Sequence, residues 1–268
     1  MHRKSRNQIV LKAALPIVLA ALVAGCARKE EAAAPPEASS RQTALAPDSA
    51  RDVSVDPAGA ATIRGRVLFG GQVPAPQEIP VKGNPECAVF HPSGNVTSEE
   101  LLVNQGGLQN AFVYVKEGLE ALSFAAPSEP VVIENKNCVY VPHVTGVQVG
   151  QPVTILNSDP TLHNVHSYGK VAKPWNIGLP VQGMKIAKKF SEAEVMVTLK
   201  CDVHPWMLGY VGVLPHPYFD VTGPDGGFEI KNLPPGEYVL EVWHEKLGVQ
   251  TQKIKLEPRA ETSVDFSF

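Results

Sequence analysis

Between Cys201 and Met207 the chain reads Cys-Asp-Val-His-Pro-Trp-Met, setting a thiol, an imidazole and a thioether at three-residue intervals. The residues before it, Glu194 to Cys201, alternate apolar and polar in the manner of a strand, so Cys201 stands where a strand enters a loop. A tight turn there can present Cys201, His204 and Met207 to one point. A thiolate with a thioether is a soft donor pair that selects copper, and imidazole suits the same ion. Two imidazoles, one thiolate and a weak axial methionine make a copper electron-transfer site, so one more histidine is required. His163 is the natural candidate, because "ILNSDPTLHNV" leads from a predicted strand through a proline-bearing bend.

Other chemistry is open to the same residues. Cys201 and His204 could be half of a zinc site, but Met is a poor zinc ligand and no second Cys/His pair stands out. They could be a nucleophile and its base, without an obvious third orienting group or oxyanion hole. Cys201 could also be a buried structural cysteine with His and Met beside it by accident. Covalent haem attachment needs C-x-x-C-H, which does not occur. His166, three residues from His163, falls on the opposite face of a strand and is expected at the surface or an interface. His143 with Cys87 and His91 is a weaker candidate for a second metal site. His216 and His244 are expected to pack, and Trp175 and Trp206 are candidate walls around the metal or a docking face.

Two motifs in order resemble the cupredoxins, the plastocyanin- and amicyanin-like blue-copper proteins. Asn157-Ser158-Asp159 followed by His163-Asn164 matches their N-x-D…H-N element. Cys201, His204, Pro205 and Met207 match their C-x-x-H-P-x-M loop, in the short amicyanin form. The resemblance implies one type 1 copper held by His163, Cys201, His204 and Met207. It also implies that Asn164 steadies the cysteine loop by hydrogen bonding, and that the protein is an electron carrier with no catalytic residues. An oxidase or nitrite reductase would use a second copper. The family's first strand is not evident, and "AFVYVKE" could fill that place.

Around this segment nearly every signal is a short β-branched or aromatic run bounded by Gly, Pro, Asn and Asp, which predicts an all-β protein. "SEELL" and "SEAEV" could each form a turn or short helix. "VTGPDGGFEIKNLPPGEYVLEVWHE" reads as a pair of hairpins with one apolar face. Its Asp225-Gly226-Gly227-Phe228 and Leu233-Pro234-Pro235-Gly236-Glu237-Tyr238 resemble the carboxypeptidase regulatory-like (transthyretin-like) β-sandwich. The opening strands of such a sandwich occur far upstream, at Thr62–Gly71 and Asn110–Gly118. The simplest organisation is a small sandwich over 61–125 and 217–268, with a cupredoxin Greek-key β-sandwich inserted at 126–216; two consecutive domains are the alternative.

The N-terminus has the grammar of export. His2, Arg3, Lys4, Arg6 and Lys12 precede an apolar run from Ala13 to Val23, too short to span a bilayer comfortably. "VAGC" then resembles a lipobox, which implies a signal over 1–26 with lipid on Cys26. Residues 27–60, rich in Ala, Pro, Ser and charge, predict a flexible tether. Ala27 after the cysteine favours the outer membrane in a Gram-negative cell, and the expected compartment is the periplasm. The whole chain has a formal net charge of −3, and loss of the basic signal makes the remainder more acidic. With no basic stripe, nucleic acid is a poor partner; the blue-copper resemblance implies redox proteins of the cell envelope as partners, with copper delivery, or an envelope binding module holding a structural metal, as the alternative roles. In an oxidising compartment, two of the three remaining cysteines tend to pair. Cys201 beside His204 is the one to stay a thiolate, which leaves Cys87 and Cys138 for a disulfide.

Overall fold

A computed structural model of the chain describes residues 51–52 and 58–268. The expected export signal, Cys26 and most of the expected tether lie outside these residues. Among those described, no helix is long and apolar enough to cross a membrane. The protein is all-β, with one four-residue helix, Pro85–Ala88.

The middle of the chain folds into two facing sheets. One has the strand order Val139–Val141, Val131–Lys136, Val153–Asn157, Lys185–Lys188. The other runs Val144–Gln148, Leu208–Leu214, Glu194–Lys200, His163–Tyr168, Trp175–Leu179. Alternation drives this packing. Val153 and Ile155 turn inward while Thr154 and Leu156 are only half-buried, and Ile133, Val165, Leu199 and Val211 meet them in one core. Each such side chain, taken fully from water, contributes about 1.5–3 kcal/mol.

The flanking segments build a second sandwich. Phe112–Glu117 lies between Phe219–Val221 and Gly236–His244, which in turn pairs with Gly248–Leu256. Ala61–Leu68 pairs with Gly227–Leu233 and with the C-terminal strands Glu261–Ser263 and Phe266–Ser267. Strands on either side of the middle segment in sequence are thus hydrogen-bonded neighbours in space. "AFVYVKE" belongs here.

Three expectations need correction. The C-terminal turns at Asp225-Gly226 and Pro234–Gly236 do not close hairpins. They carry the chain from one sheet to the facing one, because Gly227–Leu233 bonds to Ala61–Leu68 while its sequence neighbours bond elsewhere. Phe228, Ile230, Tyr238, Leu240 and Val242 still point inward, from opposite sheets. Neither "SEELL" nor "SEAEV" is helical; the helix forms at Pro85, where proline suits a first turn. The tether is not without structure along its length: Arg51–Asp52 runs parallel to Leu122–Ser123, and Gly59 O accepts the Arg259 N–H.

Residues 78–97 leave the second sandwich and lie on the first. Glu78–Pro80 pairs with Asn95–Thr97, and Val81, Cys87 and Val96 are buried in the middle core. A disulfide between Cys87 and Cys138 fastens this excursion. The two sandwiches meet where Gly146 and Gly212, opposite each other on parallel strands, leave a notch for Phe112 and Phe219. A Cβ on Gly212 would stand 2.4 Å from the Phe112 ring, and one on Gly146 2.2 Å from Phe219. The two rings stack with centroids 5.5 Å apart.

Candidate metal centre

Cys201 follows the last residue of Glu194–Lys200, and His163 opens the neighbouring strand His163–Tyr168. The pairing of these two strands begins at His166 opposite Lys200, so their ends splay where the donors stand. The loop after Cys201 is closed by its own backbone: Met207 N–H donates to His204 O (2.9 Å) and Cys201 N–H to Met207 O (3.3 Å). His204 is thereby turned back over the strand end.

One donor atom from each of His163, Cys201 and His204 lies within 4.8 Å of the others. The two Nδ1 atoms face each other at 3.0 Å, and Cys201 Sγ is 3.7 Å from His204 Nδ1. Such separations suit donors that each sit about 2.0–2.3 Å from a shared ion. All three residues are buried, at 0%, 2% and 3% exposure. Met207, 1% exposed, belongs to the same core.

The surrounding hydrogen bonds fix His163 and the cysteine loop. His163 Nε2 is 2.9 Å from Asp159 Oδ2. Asp159 also accepts the backbone N–H of Asn137 (2.7 Å) and Cys138 (2.8 Å). Burial pushes the Asp159 carboxyl up, but these three donors outweigh it and hold it below the usual carboxylate range. An ionised carboxylate only accepts, so His163 carries a proton on Nε2 and turns Nδ1 toward His204.

Asn164 lies beside the cysteine loop. Its Oδ1 accepts the Asp202 N–H at 2.7 Å and stands 3.3 Å from Cys201 Sγ, while Nδ2 donates to Asp202 and Asn176. Burial pushes the Cys201 thiol up, yet its bonds with His163 and His204 and with backbone at Asn164 and His204 bring it down to about 6. The thiolate is therefore the natural state at neutral pH, as a metal ligand must be.

The disulfide and one of the two candidate tryptophans stand beside the donors. The disulfide lies against the donors: Cys87, Cys138 and His204 have polar or sulfur atoms mutually within 4.8 Å, as do Cys138, Asp159 and His163. Trp206 packs on His204 with ring centroids 5.2 Å apart, and its indole N–H is held by Cys138 O at 2.9 Å. Trp206 is thus a wall of the site, but Trp175 is not. Trp175 packs on Phe190 beneath Lys188, in the outer strand of its sheet.

The second-metal candidates do not converge among the described residues. Cys87 and Cys138 are bonded to each other, His91 Nε2 is 2.8 Å from Asn137 O, and His143 bonds Glu245. His166 is part-exposed against Asp202 and Tyr168, and His216 and His244 are buried.

No protein-family model matches the chain, and no curated protein matches it. Among solved structures it is similar to a mutant of amicyanin in the Cu(I) state, at 27% identity over 31% of this chain and 81% of that one, with a TM-score of 0.28. It is also similar to a purple cupredoxin from Nitrosopumilus maritimus, at 29% identity over 31% of this chain and 97% of that one, with a TM-score of 0.27. A third similarity is to a copper-containing nitrite reductase from Thermus scotoductus SA-01, at 22% identity and a TM-score of 0.29. That match covers 35% of this chain and 24% of the reductase.

Proposed function

We propose that this protein holds one copper ion through His163 Nδ1, Cys201 Sγ, His204 Nδ1 and the Met207 thioether, and carries single electrons between redox proteins of the cell envelope. The observation that carries this reading is the buried convergence of two imidazole nitrogens and the Cys201 sulfur, with His163 anchored by Asp159 and the cysteine loop anchored by Asn164. Copper bound there would supply a one-electron couple. The chain supplies rigidity. Asp159 keeps the His163 proton away from the metal side, and Asn164 straps the His163 strand to the loop after Cys201. Trp206 and the disulfide keep water off the imidazoles. Outer partners of this kind set metal affinity as well as geometry.

Full burial of the donors favours a carrier that retains its metal over one that hands it on. In the same proposal the chain is exported, lipid-anchored through Cys26 on the periplasmic side, and non-catalytic, with the metal sandwich inserted in the regulatory-like one. Copper-loaded protein should show an intense visible band from thiolate-to-Cu(II) charge transfer, lost in Cys201→Ser. It should also cycle reversibly with one electron. A colourless Cu(II) protein with only nitrogen and oxygen ligands by EPR would end this reading.

A further inference from the structure

Beside the metal loop lies a cleft that the donor set does not use. It measures about 510 Å³ and is enclosed by residues 77–100, by Pro205–Leu208 and by Glu245 at the end of the C-terminal hairpin. The volume is within the range of small-molecule sites. Ile79, Val96 and Leu208 give it apolar lining, and Trp206 adds an aromatic ring. With its indole N–H committed to Cys138 O, Trp206 offers only its ring.

The remaining lining is rich in acceptors. Glu99, Glu100 and Glu245 contribute carboxylates, and neither Lys nor Arg lines the cleft. His143 is the cationic element, but it is committed: Nε2 bonds Glu245 and Nδ1 is 3.6 Å from Glu99. Burial works against a charged His143, and the two carboxylates outweigh it and hold its basicity above the ordinary value. Lys246 reaches in to Glu100 at 2.8 Å from outside. Glu99, its side chain 39% exposed, keeps acceptor capacity for an occupant, since His143 engages it only at the longer distance. Thr97 gives its hydroxyl proton to Glu78, and Gln77, Ser98 and Tyr210 add uncharged groups that can donate or accept; the charge of the lining is mainly carboxylate, which disfavours an anion and favours a ligand that brings N–H or O–H donors.

We propose that this cleft binds a small aromatic molecule whose ring carries hydroxyl or amino donors, of the hydroquinone or aromatic-amine class. The ring lies among Ile79, Val96, Leu208 and Trp206, and a donor reaches Glu99. Because Trp206 also touches His204, and Met207 lines the cleft, the occupant sits against the metal loop. The site does not depend on a metal being bound.

The experiment titrates metal-free protein with hydroquinone, p-phenylenediamine and benzoate, following the Trp206 indole and the residues around His143 by NMR. Both donor-bearing compounds should shift these signals and bind about tenfold or more tighter than benzoate, the worth of one hydrogen bond to a charged group. Glu99→Lys should weaken them by a similar factor, and Ile79→Trp should fill the cleft and abolish binding. Thermal unfolding of both variants reports whether the fold is kept, and Glu99→Lys alters only a part-exposed side chain. Benzoate binding as tightly as hydroquinone, shifts mapping away from the cleft, or Glu99→Lys binding like the parent would overturn the proposal.

Discussion

Asp159→Asn tests the logic of the centre at its most constrained point. The carboxylate Oδ1 accepts one N–H, from Asn137, and Oδ2 accepts two, from Cys138 and His163. An amide has only one acceptor oxygen. With that oxygen in the Oδ2 position, its NH₂ confronts the Asn137 N–H and strands a part-buried donor, at a cost of about 1–3 kcal/mol. Loss of charge from the two surviving bonds adds about 1 kcal/mol, since bonds to charged groups exceed neutral ones by roughly that much. In the flipped amide, His163 must accept at Nε2 and move its proton to Nδ1, blocking the nitrogen that faces His204. Denaturant unfolding of metal-free protein should therefore show a loss of about 2–4 kcal/mol. Competition with a chelator should show metal affinity about 10–100-fold weaker. The pH sign follows from the depressed carboxyl. Its stabilisation is complete above the ordinary carboxylate pKa of 3.8, falls away as the pH drops toward the lower folded value, and is absent from the variant. A variant within 0.5 kcal/mol of the parent (roughly the noise expected of a surface change), with unchanged metal affinity and the His163 proton still on Nε2, would refute this account of the centre.

Three further outcomes are expected. Replacing Cys87 and Cys138 together by alanine removes a cross-link spanning 51 residues, which should lower stability by about 4 kcal/mol on chain-entropy grounds; equal denaturation midpoints with and without the bond would contradict it. Gly212→Ala forces a methyl into the Phe112 ring and should cost about 1–3 kcal/mol by overpacking, whereas Gly178→Ala, with open space at its Cβ, serves as the control in the same thermal melts. His216, buried and pushed down to about 4, is neutral in the fold, so its contribution is complete above the unfolded pKa of 6.5 and lost as pH falls through about 4. That interval corresponds to about 3 kcal/mol of pH-dependent stability, and His216→Asn should flatten the stability profile there; an unaltered profile would rule the residue out as the source.

The parts legible in the sequence were those set by short-range pattern. Cys201, His204 and Met207 sit at fixed intervals behind an alternating strand, so their convergence on one loop follows from local geometry. Asn164, next to His163, was legible only through its resemblance to a known motif. Long-range partners left no such trace. Asp159 stood within the quoted motif, but its role depends on the backbone of Asn137 and Cys138, which a separate strand turn brings up. Asp225-Gly226 correctly marks a turn, yet turn propensity says nothing about which strand the chain joins next, so sheet-to-sheet corners looked like hairpins. The excursion over 78–97 was hidden for the same reason. Its buried apolar residues, Val81, Cys87 and Val96, do not reveal which of two cores they enter.

The notch at Gly146 and Gly212 bears on whether the metal sandwich can be treated as a portable part. Phe112 and Phe219 come from strands of the other sandwich, one on each side of residues 126–216 in the chain, and both fill that notch. Val144, Leu214 and Tyr210 of the metal sandwich pack with Phe112, Phe219 and Trp243 in the same cluster. Cutting the chain to 126–216 would strip this face and also remove Cys87, leaving Cys138 an unpaired thiol beside the donor set. A fragment chosen by its motifs alone would thus carry every proposed metal donor and still lack the walls around them. The minimal working unit of this protein is the pair of sandwiches.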